Sequence, residues 1–287
     1  TSDSVIAGNF IGVAADGTTP LGNVQDGILI NDAFNNTIGT DGDGQGDLLE
    51  RNVVSANGGD GIVLKYLYNA SPVNNTIAGN FIGVAADGTT PLGNAQNGVM
   101  LKDAANNTIG GTTPAKRNII SNNGDSGVLL NASDNNIIAG NFIGADATGT
   151  QDLGNADHGI YLINSADNQI GGSATAARNA ISGNDSIGIH IRYAGSTGNK
   201  VQGNYIGTTA DGVDALPNSA GVSINDASGS LIGGTTTPGE GNLIAFNNGA
   251  GLEVMHDNST GNAIRGNSIH SNGTLGIDLG HDGVTPN

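Results

Sequence analysis

Apolar and polar residues alternate in short segments along the whole chain, in three patterns that follow one another in a fixed order. The first two patterns are Asn-x-Ile followed by a small residue, as at 75–78 and 80–83, and the third is Gly-aliphatic-x-aliphatic, as at 98–101. Alternation with a period of two is typical of β-strands that bury one face, and each segment is too short for a helix. The patterns therefore predict three short strands per repeat.

The third pattern recurs at a mean interval of about 31 residues. It begins at Gly27, Gly61, Gly98, Gly127, Gly159, Gly188, Gly221, Gly251 and Gly276. A chain that forms three strands and returns to the same phase is a solenoid, in which each strand stacks on its equivalent in the next repeat. We predict an all-β parallel β-helix of about nine coils, which at about 4.8 Å per coil is a rod about 40 Å long.

The middle residue of the third pattern varies freely, whereas its neighbours are aliphatic, so we expect the neighbours to point inward and the middle residue outward. The outward column reads Leu29, Val63, Met100, Leu129, Tyr161, His190, Ser223, Glu253 and Asp278. The four aliphatic residues at its start predict an exposed stripe that contacts a partner or a sister chain, unless the long loops cover it.

An asparagine opens the second pattern in every coil. These residues are Asn9, Asn52, Asn80, Asn118, Asn141, Asn179, Asn204, Asn242 and Asn267. Stacked asparagine side chains pass amide hydrogen bonds from coil to coil and satisfy turn backbone groups that would otherwise be buried without partners. We interpret the column as a structural asparagine ladder.

Two kinds of long connection alternate along the predicted solenoid, so the repeating unit is a pair of coils. One kind precedes the third strand; with its coil it forms the sequence IAGNFIGVAADGTTPLGN at 6–23, which recurs unchanged at 77–94. The other follows the first strand, as in GGTTPAKRN at 110–118. We expect the two kinds to protrude as two separate rows.

Aromatic residues follow the ladder asparagine in every second coil, at Phe10, Phe81, Phe142 and Tyr205. Rings at such spacing could stack against the sugars of a polysaccharide. Because they occur only in coils that carry the ADGTTPLGN-type loop, we interpret each ring instead as the apolar floor under its loop.

Composition narrows the classes of function. Asp and Glu outnumber Lys and Arg by 26 to 9, and the net charge of −17 repels phosphate backbones, which argues against a nucleic-acid partner. The absence of cysteine excludes disulfides, a thiol nucleophile and a cysteine-based metal site. No apolar run approaches the roughly 18 residues that cross a bilayer, so we expect no membrane insertion by this segment.

The segments GNFIGVAADGTTPLGN, NNTIGGTTPAKRNIISNNGDSGVLL and GNYIGTTADG resemble the tandem repeats of bacterial right-handed parallel β-helix repeat proteins, which often carry CSLREA-type N-terminal domains. The resemblance covers essentially the whole chain. It implies one β-helix domain over 1–287, a segment of a longer secreted or cell-surface protein. The same fold, that of pectate lyases, also serves polysaccharide lyases, hydrolases and epimerases, so enzymatic alternatives stay open.

An acidic insertion at 40–50 replaces the usual connection and predicts a metal site. Its alternating oxygen ligands on a glycine-rich loop are Asp41, Asp43, Gln45, Asp47 and Glu50, the set that we expect to hold Ca²⁺. The loop begins like an EF-hand, but Asn52 stands where that motif has its bidentate glutamate. The alternative is a solvated acidic turn.

We assign no catalytic residues, but the fifth and sixth coils contain the best candidates. They are Asp157, His158, Tyr161, His190 and Arg192. Stacking places Tyr161 beside His190 with Arg192 further along the strand. A base, a phenol and a guanidinium are the groups that a uronate lyase or C5-epimerase needs in order to remove the C5 proton and stabilise the resulting anion.

The prediction from sequence is therefore a non-catalytic, extracellular or cell-surface module: a rigid stalk, adhesin or filament-forming protein, stabilised by calcium. Its partners would be a polysaccharide or cell-surface glycan, or other copies of itself, bound end to end or through the Leu29, Val63, Met100 and Leu129 face. The alternatives are a polysaccharide lyase or epimerase, which the acidic surface disfavours because it repels uronates, and a pure glycan-binding module.

Overall fold

Each coil of the chain contributes one short strand to each of three parallel sheets. The computed structural model describes residues 2–68 and 71–280. Within these residues every sheet has nine strands, and neighbouring strands in a sheet come from successive coils. The fold is a right-handed parallel β-helix of nine coils, which confirms the prediction from the strand patterns.

The strands are numbered in chain order, so that β1–β3 form the first coil. The first sheet contains β1 (Val5–Ile6), β4 (Thr37–Gly39), β7 (Thr76–Ala78), β10 (Thr108–Gly110), β13 (Ile137–Ala139), β16 (Gln169–Gly171), β19 (Lys200–Gln202), β22 (Leu231–Gly233) and β25 (Ala263–Arg265). The second contains β2 (Phe10–Ile11), β5 (Val53–Val54), β8 (Phe81–Ile82), β11 (Ile119–Ile120), β14 (Phe142–Ile143), β17 (Ala180–Ile181), β20 (Tyr205–Ile206), β23 (Leu243–Ala245) and β26 (Ser268–His270).

The third sheet contains β3 (Ile28–Asn31), β6 (Ile62–Lys65), β9 (Val99–Lys102), β12 (Val128–Asn131), β15 (Ile160–Ile163), β18 (Ile187–Arg192), β21 (Ala220–Asn225), β24 (Leu252–Met255) and β27 (Ile277–Leu279). Two 3₁₀ turns, Pro114–Lys116 and Thr175–Ala177, lie in even-coil connections. In the described part of the chain, no helix has the length and apolar character to cross a membrane.

Identical inward positions stack in every sheet and form the core. In the first sheet, Ile109 pairs with Ile77 on one side and Ile138 on the other, and all three side chains are fully buried. Each buried aliphatic side chain of this size stabilises the fold by about 1.5–3 kcal/mol. The core is therefore a set of continuous aliphatic columns, which the alternating pattern requires.

The third sheet shows the expected alternation in most coils, but the outward side chains of Val63, His190 and Ser223 are buried. Val128 and Leu130 are buried, and Leu129 between them is only half-buried. The exposed stripe predicted along this column is wrong at Val63, which is 2% exposed, whereas Leu29 is 43% exposed. Val63 is short and lies in register between Leu29 and Met100, whose longer side chains flank it.

The predicted asparagine ladder is confirmed. From Asn9 to Asn267, each Nδ2 atom donates to the Oδ1 atom of the equivalent asparagine in the next coil, at 2.9–3.1 Å. The same amide groups also bond the turn backbone, as where Asn118 Nδ2 donates to the Ile77 carbonyl oxygen at 2.8 Å. The ladder occupies the corner between the first and second sheets.

Two further ladders, which the sequence analysis missed, occupy the other corners. The one between the second and third sheets runs through Asn23, Asn57, Asn94, Asn123, Asn155, Asn184, Asn218, Asn247 and Asn272. The one before the first sheet runs through Asn36, Asn75, Asn107, Asn136, Asn168 and Asn199. Ser230 then interrupts it, before Asn262 accepts from the Ser230 backbone.

The loops of the odd coils stack on one another two coils apart. Ala86 N–H donates to the Gly17 carbonyl oxygen, Ala147 to Gly88, and Ala210 to Gly149, at 2.8–2.9 Å. Successive odd-coil loops are therefore in direct contact, although those of coils five and seven differ in sequence from those of coils one and three. The odd-coil loops form the predicted row along one edge of the second sheet.

Candidate functional site

The candidate catalytic residues of coils five and six meet on the outer face of the third sheet. Tyr161 on β15 is in register with His190 on β18, and the two rings stack with centroids 4.9 Å apart. His158 precedes β15 and packs edge-on, with its ring centroid 4.7 Å from each of the other two. Arg192 Nη1 donates to the Tyr161 hydroxyl at 3.3 Å.

The hydrogen bonds of the two imidazoles specify their tautomers. The Ile187 backbone N–H donates to Nδ1 of His158 at 3.2 Å, so a neutral His158 carries its proton on Nε2. That proton is donated to Nδ1 of His190 at 3.0 Å, which leaves the proton of His190 on Nε2. His190 Nε2 is buried and has no partner. We call this arrangement the histidine pair.

Burial holds the histidine pair in its neutral form. Burial, together with the nearby His158 and Arg192, lowers the pKa of His190 to about 3. Burial also lowers the pKa of His158, which the Asp157 carboxylate, 3.6 Å from Nε2, only partly opposes. His158 is 8% and His190 is 7% exposed. The column position of His190 predicts a solvent-facing ring, and this is wrong because His158 and Tyr161 cover it.

The acidic insertion brings together three of the five predicted metal ligands. Carboxylate oxygens of Asp41, Asp47 and Glu50 lie within 4.8 Å of one another. Asp43 lies outside this group of carboxylates and accepts hydrogen bonds from the Gln45 backbone and side chain. One carboxylate oxygen of Glu50 is buried without a partner. The structure thus contains an acidic group that could hold a metal ion, made of three of the predicted carboxylates.

A groove on the second sheet contains a repeated pair that the sequence analysis did not identify. In it, an arginine from an even coil stacks on the aromatic ring of the next odd coil, with the Cζ atom about 4 Å from the ring centroid. The pairs are Arg51 on Phe81 at 4.0 Å, Arg117 on Phe142 at 4.1 Å and Arg178 on Tyr205 at 3.9 Å. The signal was present in the sequence, since these arginines directly precede ladder asparagines, but no local pattern shows which ring each one meets.

The aromatic rings form the floor of the odd-coil loops, as interpreted from sequence. Phe81 and Phe142 are 5% and 7% exposed, and both belong to one buried apolar cluster beside the loop residues Ala86 and Ala147. Gly88 lies so close to the Phe81 ring that an added Cβ atom would be 2.8 Å from it. Phe81 and Phe142 therefore have no free face for stacking on sugars, whereas Phe10 in the first coil is 47% exposed.

Cavities lie between successive arginine–aromatic pairs. A cavity of about 320 Å³ lies between Arg51 and Arg117, with Ala86 of an odd-coil loop on one wall and Pro114 of an even-coil loop on the other. A second, of about 160 Å³, lies between Arg117 and Arg178. The groove thus runs along the second sheet between the two rows of loops and repeats every two coils.

A family model described as periplasmic copper-binding protein (NosD) matches residues 91–242, which is more than half of the chain. The chain belongs to the NosD family. No curated protein matches it in sequence.

Three solved structures resemble this NosD-family chain. A mutant of the periplasmic alginate epimerase AlgG is 14% identical and has a TM-score of 0.52. The match covers 88% of this chain and 54% of the AlgG chain. The A-module of the mannuronan C-5 epimerase AlgE4 from Azotobacter vinelandii is 13% identical and has a TM-score of 0.43. The match covers 100% of this chain and 57% of the AlgE4 module. The Dettilon tailspike protein is 19% identical and has a TM-score of 0.47; the match covers 97% of this chain and 55% of the tailspike. The chain spans about half the length of these proteins, and the likeness to AlgG shows the fold alone.

Among the described residues, no histidine belongs to a group of three or more His, Asp or Glu side chains close enough to share a copper ion. Copper sites in proteins use imidazole nitrogen and cysteine or methionine sulfur. The chain has no cysteine and only two methionines, and the two imidazoles that meet are hydrogen-bonded to each other. Within the part of the chain that the structure describes, the group of His, Asp or Glu residues close enough to share an ion is the all-oxygen one, Asp41, Asp47 and Glu50. We derive no copper chemistry for this NosD-family chain.

Proposed function

We propose that the chain is a non-catalytic structural and adhesive module that acts outside the cytoplasm, as one β-helix domain and a segment of a longer protein. Three asparagine ladders and stacked loops make it a rigid rod whose outer faces repeat every two coils. The description of its family as periplasmic supports the location. The ligand class that we propose is a polysaccharide, since the AlgG fold neighbour is an alginate epimerase.

The closed histidine pair is the observation that carries the non-catalytic proposal. A general base must reach the proton that it removes. His158 Nε2 and His190 Nδ1 are instead committed to each other, and both rings are more than 90% buried. The Tyr161 hydroxyl is likewise bonded to Arg192. The cluster therefore fastens coil five to coil six.

The second candidate is a uronate lyase or C5-epimerase, and the same cluster is the observation that favours it. His190, Tyr161 and Arg192 place an imidazole, a phenol and a cation on adjacent strands, and His190 Nε2 is unpaired. Because Nε2 carries the proton in the closed pair, His190 would act as a base only after the hydrogen bond to His158 is broken and the proton moves to Nδ1. This function requires Tyr161 to move away from His190 so that a sugar ring can enter. The two candidates therefore differ in whether polysaccharide is turned over.

Turnover is tested by incubating the purified chain with neutral and uronic polysaccharides, with and without Ca²⁺. New reducing ends, ultraviolet-absorbing unsaturated ends and C5 inversion by NMR are followed together. We expect none of them. Turnover that His190→Ala abolishes, while His256→Ala retains it, would overturn the structural proposal and establish the second candidate.

We further propose that Ca²⁺ binds Asp41, Asp47 and Glu50 and orders the connection at 40–50. Three carboxylates give the all-oxygen, anionic surroundings that this ion prefers. The buried, unpaired oxygen of Glu50 supports the proposal, because a carboxylate oxygen without a partner is costly to bury.

A further inference from the structure

Three arginines form a straight row along the groove of the second sheet. Arg51, Arg117 and Arg178 directly precede ladder asparagines of coils two, four and six, so the ladder itself aligns them. In each, Nε donates to a glycine carbonyl oxygen of the next coil, at 3.0–3.2 Å. We call these residues the arginine row.

The arginine row has no acidic partner in a strongly acidic protein. The chain has 26 Asp and Glu residues against 9 Lys and Arg. Even so, among the described residues both ion pairs involve histidine, and neither includes an arginine. A half-buried guanidinium without a carboxylate is costly, because burial removes water and no charged partner replaces it. Burial indeed lowers the pKa of Arg51 and of Arg117, although both stay charged at neutral pH.

The structural contacts of each guanidinium leave one edge unused. Its face lies on the aromatic ring, and Nε is bonded to the glycine carbonyl. In the described part of the chain, the terminal Nη atoms of the row donate to no protein acceptor. Two Nη donors on one planar edge match the two oxygens of a carboxylate.

The spacing of the row restricts the ligand further. The arginines lie two coils apart, so successive guanidinium groups are about 10 Å from each other. The cavities between them, of about 320 and 160 Å³, leave room for a chain that lies along the groove. An interval of this size is comparable to the length of a disaccharide unit in an extended glycan.

We propose that the arginine row binds a linear polysaccharide that carries a carboxylate on alternate sugars, with one carboxylate on the Nη edge of each of Arg51, Arg117 and Arg178. This inference rests on the proposed adhesive function and names its ligand class. The sugar rings between the carboxylates lie in the cavities, between the odd-coil and even-coil loops.

The net charge of −17 does not prevent such binding. At physiological salt, charges more than about 8 Å away are largely screened, so contacts at the row outweigh the distant carboxylates. One acidic residue, Asp87, lines the larger cavity. Its carboxylate accepts hydrogen bonds from the Thr89 and Thr90 backbone and from the Thr90 hydroxyl, so its charge is directed into its own loop.

The test measures binding of hyaluronan oligosaccharides, which carry one uronate per disaccharide, by calorimetry in EDTA. Chelation excludes bridging by calcium at the acidic loop. We expect affinity to rise with each uronate until three are present, and carboxyl-reduced oligosaccharides to bind at least tenfold more weakly. Equal binding of the reduced form, or tighter binding of single-stranded DNA, would overturn the proposal.

Substitutions of single arginines test whether the oligosaccharide contacts the arginine row. Arg117→Gln should weaken binding about tenfold, the loss expected for one charge-assisted pair, and Arg117→Lys should weaken it because lysine cannot present a planar edge. Arg265→Gln makes the same change in charge at an exposed site outside the groove and should bind normally. Unchanged binding by a folded Arg117→Gln variant would refute the site.

A measurement on the unmodified chain tests the proposal even if these variants misfold. The Nε–Hε NMR signals of Arg51, Arg117 and Arg178 should shift on addition of the oligosaccharide, while that of Arg265 does not. Shifts absent from all three arginines would overturn the inference. This experiment measures binding alone, whereas the polysaccharide assay measures product. Absent NMR shifts would therefore contradict the arginine-row proposal, and product formation would contradict the non-catalytic proposal.

Discussion

Nε2 of His158 lies 3.0 Å from Nδ1 of His190, and this hydrogen bond joins coils five and six beneath the Tyr161 ring. Because both imidazoles are buried and neutral, the pair makes the fold sensitive to acid. The folded pKa of His190 is about 3, and the unfolded value is near 6.5. Its contribution to stability is complete above about pH 6.5 and is lost as pH falls toward 3, since only the unfolded chain takes up the proton.

We therefore expect the free energy of unfolding to be about 2 kcal/mol lower at pH 5 than at pH 7 for His190 alone. Urea unfolding at the two pH values measures the difference. His190→Gln keeps a polar side chain but does not titrate, so it should reduce the pH dependence. A wild-type chain that is as stable at pH 5 as at pH 7 would contradict the assignment of a neutral pair.

Removing one ladder amide should destabilise the rod locally. Asn118 accepts from the Asn80 backbone and side chain and donates to Ile77 and Asn141. Asn118→Ala leaves these buried partners unsatisfied and should cost about 3 kcal/mol. Asn248→Ala, at an exposed asparagine outside the ladders, is the control and should cost little.

Hydrogen exchange shows where the damage from Asn118→Ala lies. Since each coil contacts only its neighbours, faster exchange should appear in coils three to five and fade beyond them. Uniformly faster exchange along all nine coils would show that the rod unfolds as one unit.

Ser230 offers a stabilising substitution. It stands in the third ladder between Asn199 and Asn262, and its buried hydroxyl has no partner. Ser230→Asn would accept from Asn199 and donate to Asn262, so we expect a gain of about 1 kcal/mol in the free energy of unfolding. Ser230→Ala, which adds no hydrogen bond, is the comparison in thermal melts. A variant less stable than Ser230→Ala would show that the corner has no room for the amide.

Calcium should stabilise the chain through the acidic connection. A ligand at a hundredfold excess over its Kd adds about 2.7 kcal/mol to the free energy of unfolding, which raises the Tm. The double change Asp47→Asn with Glu50→Gln should abolish this rise, while Asp43→Asn should retain it because Asp43 lies outside the three-carboxylate group. An equal rise with Mg²⁺, or a rise that survives the double change, would count against a calcium site there.

Much of the scaffold could be predicted from sequence because it follows from local repetition. The period of two at Val128–Leu130 sets which side chains point inward, and the regular return of glycine and asparagine sets the number of coils and the corner ladder. These features depend on residues close together in the chain, and each of them recurs in the nine stacked coils. The sequence by itself therefore determined the fold, the core and one asparagine ladder.

Only the tertiary structure decided which side chains meet, and which are buried, at positions where the coils differ in sequence. Arg117 and Phe142 stack across 25 positions of sequence because coil stacking places them together, and no pattern within one coil contains that contact. Similarly, Val63 and His190 occupy outward positions but are buried, because longer neighbours on adjacent coils cover them. Exposure of an outward side chain depends on the size and charge of the residues above and below it, which come from distant parts of the chain.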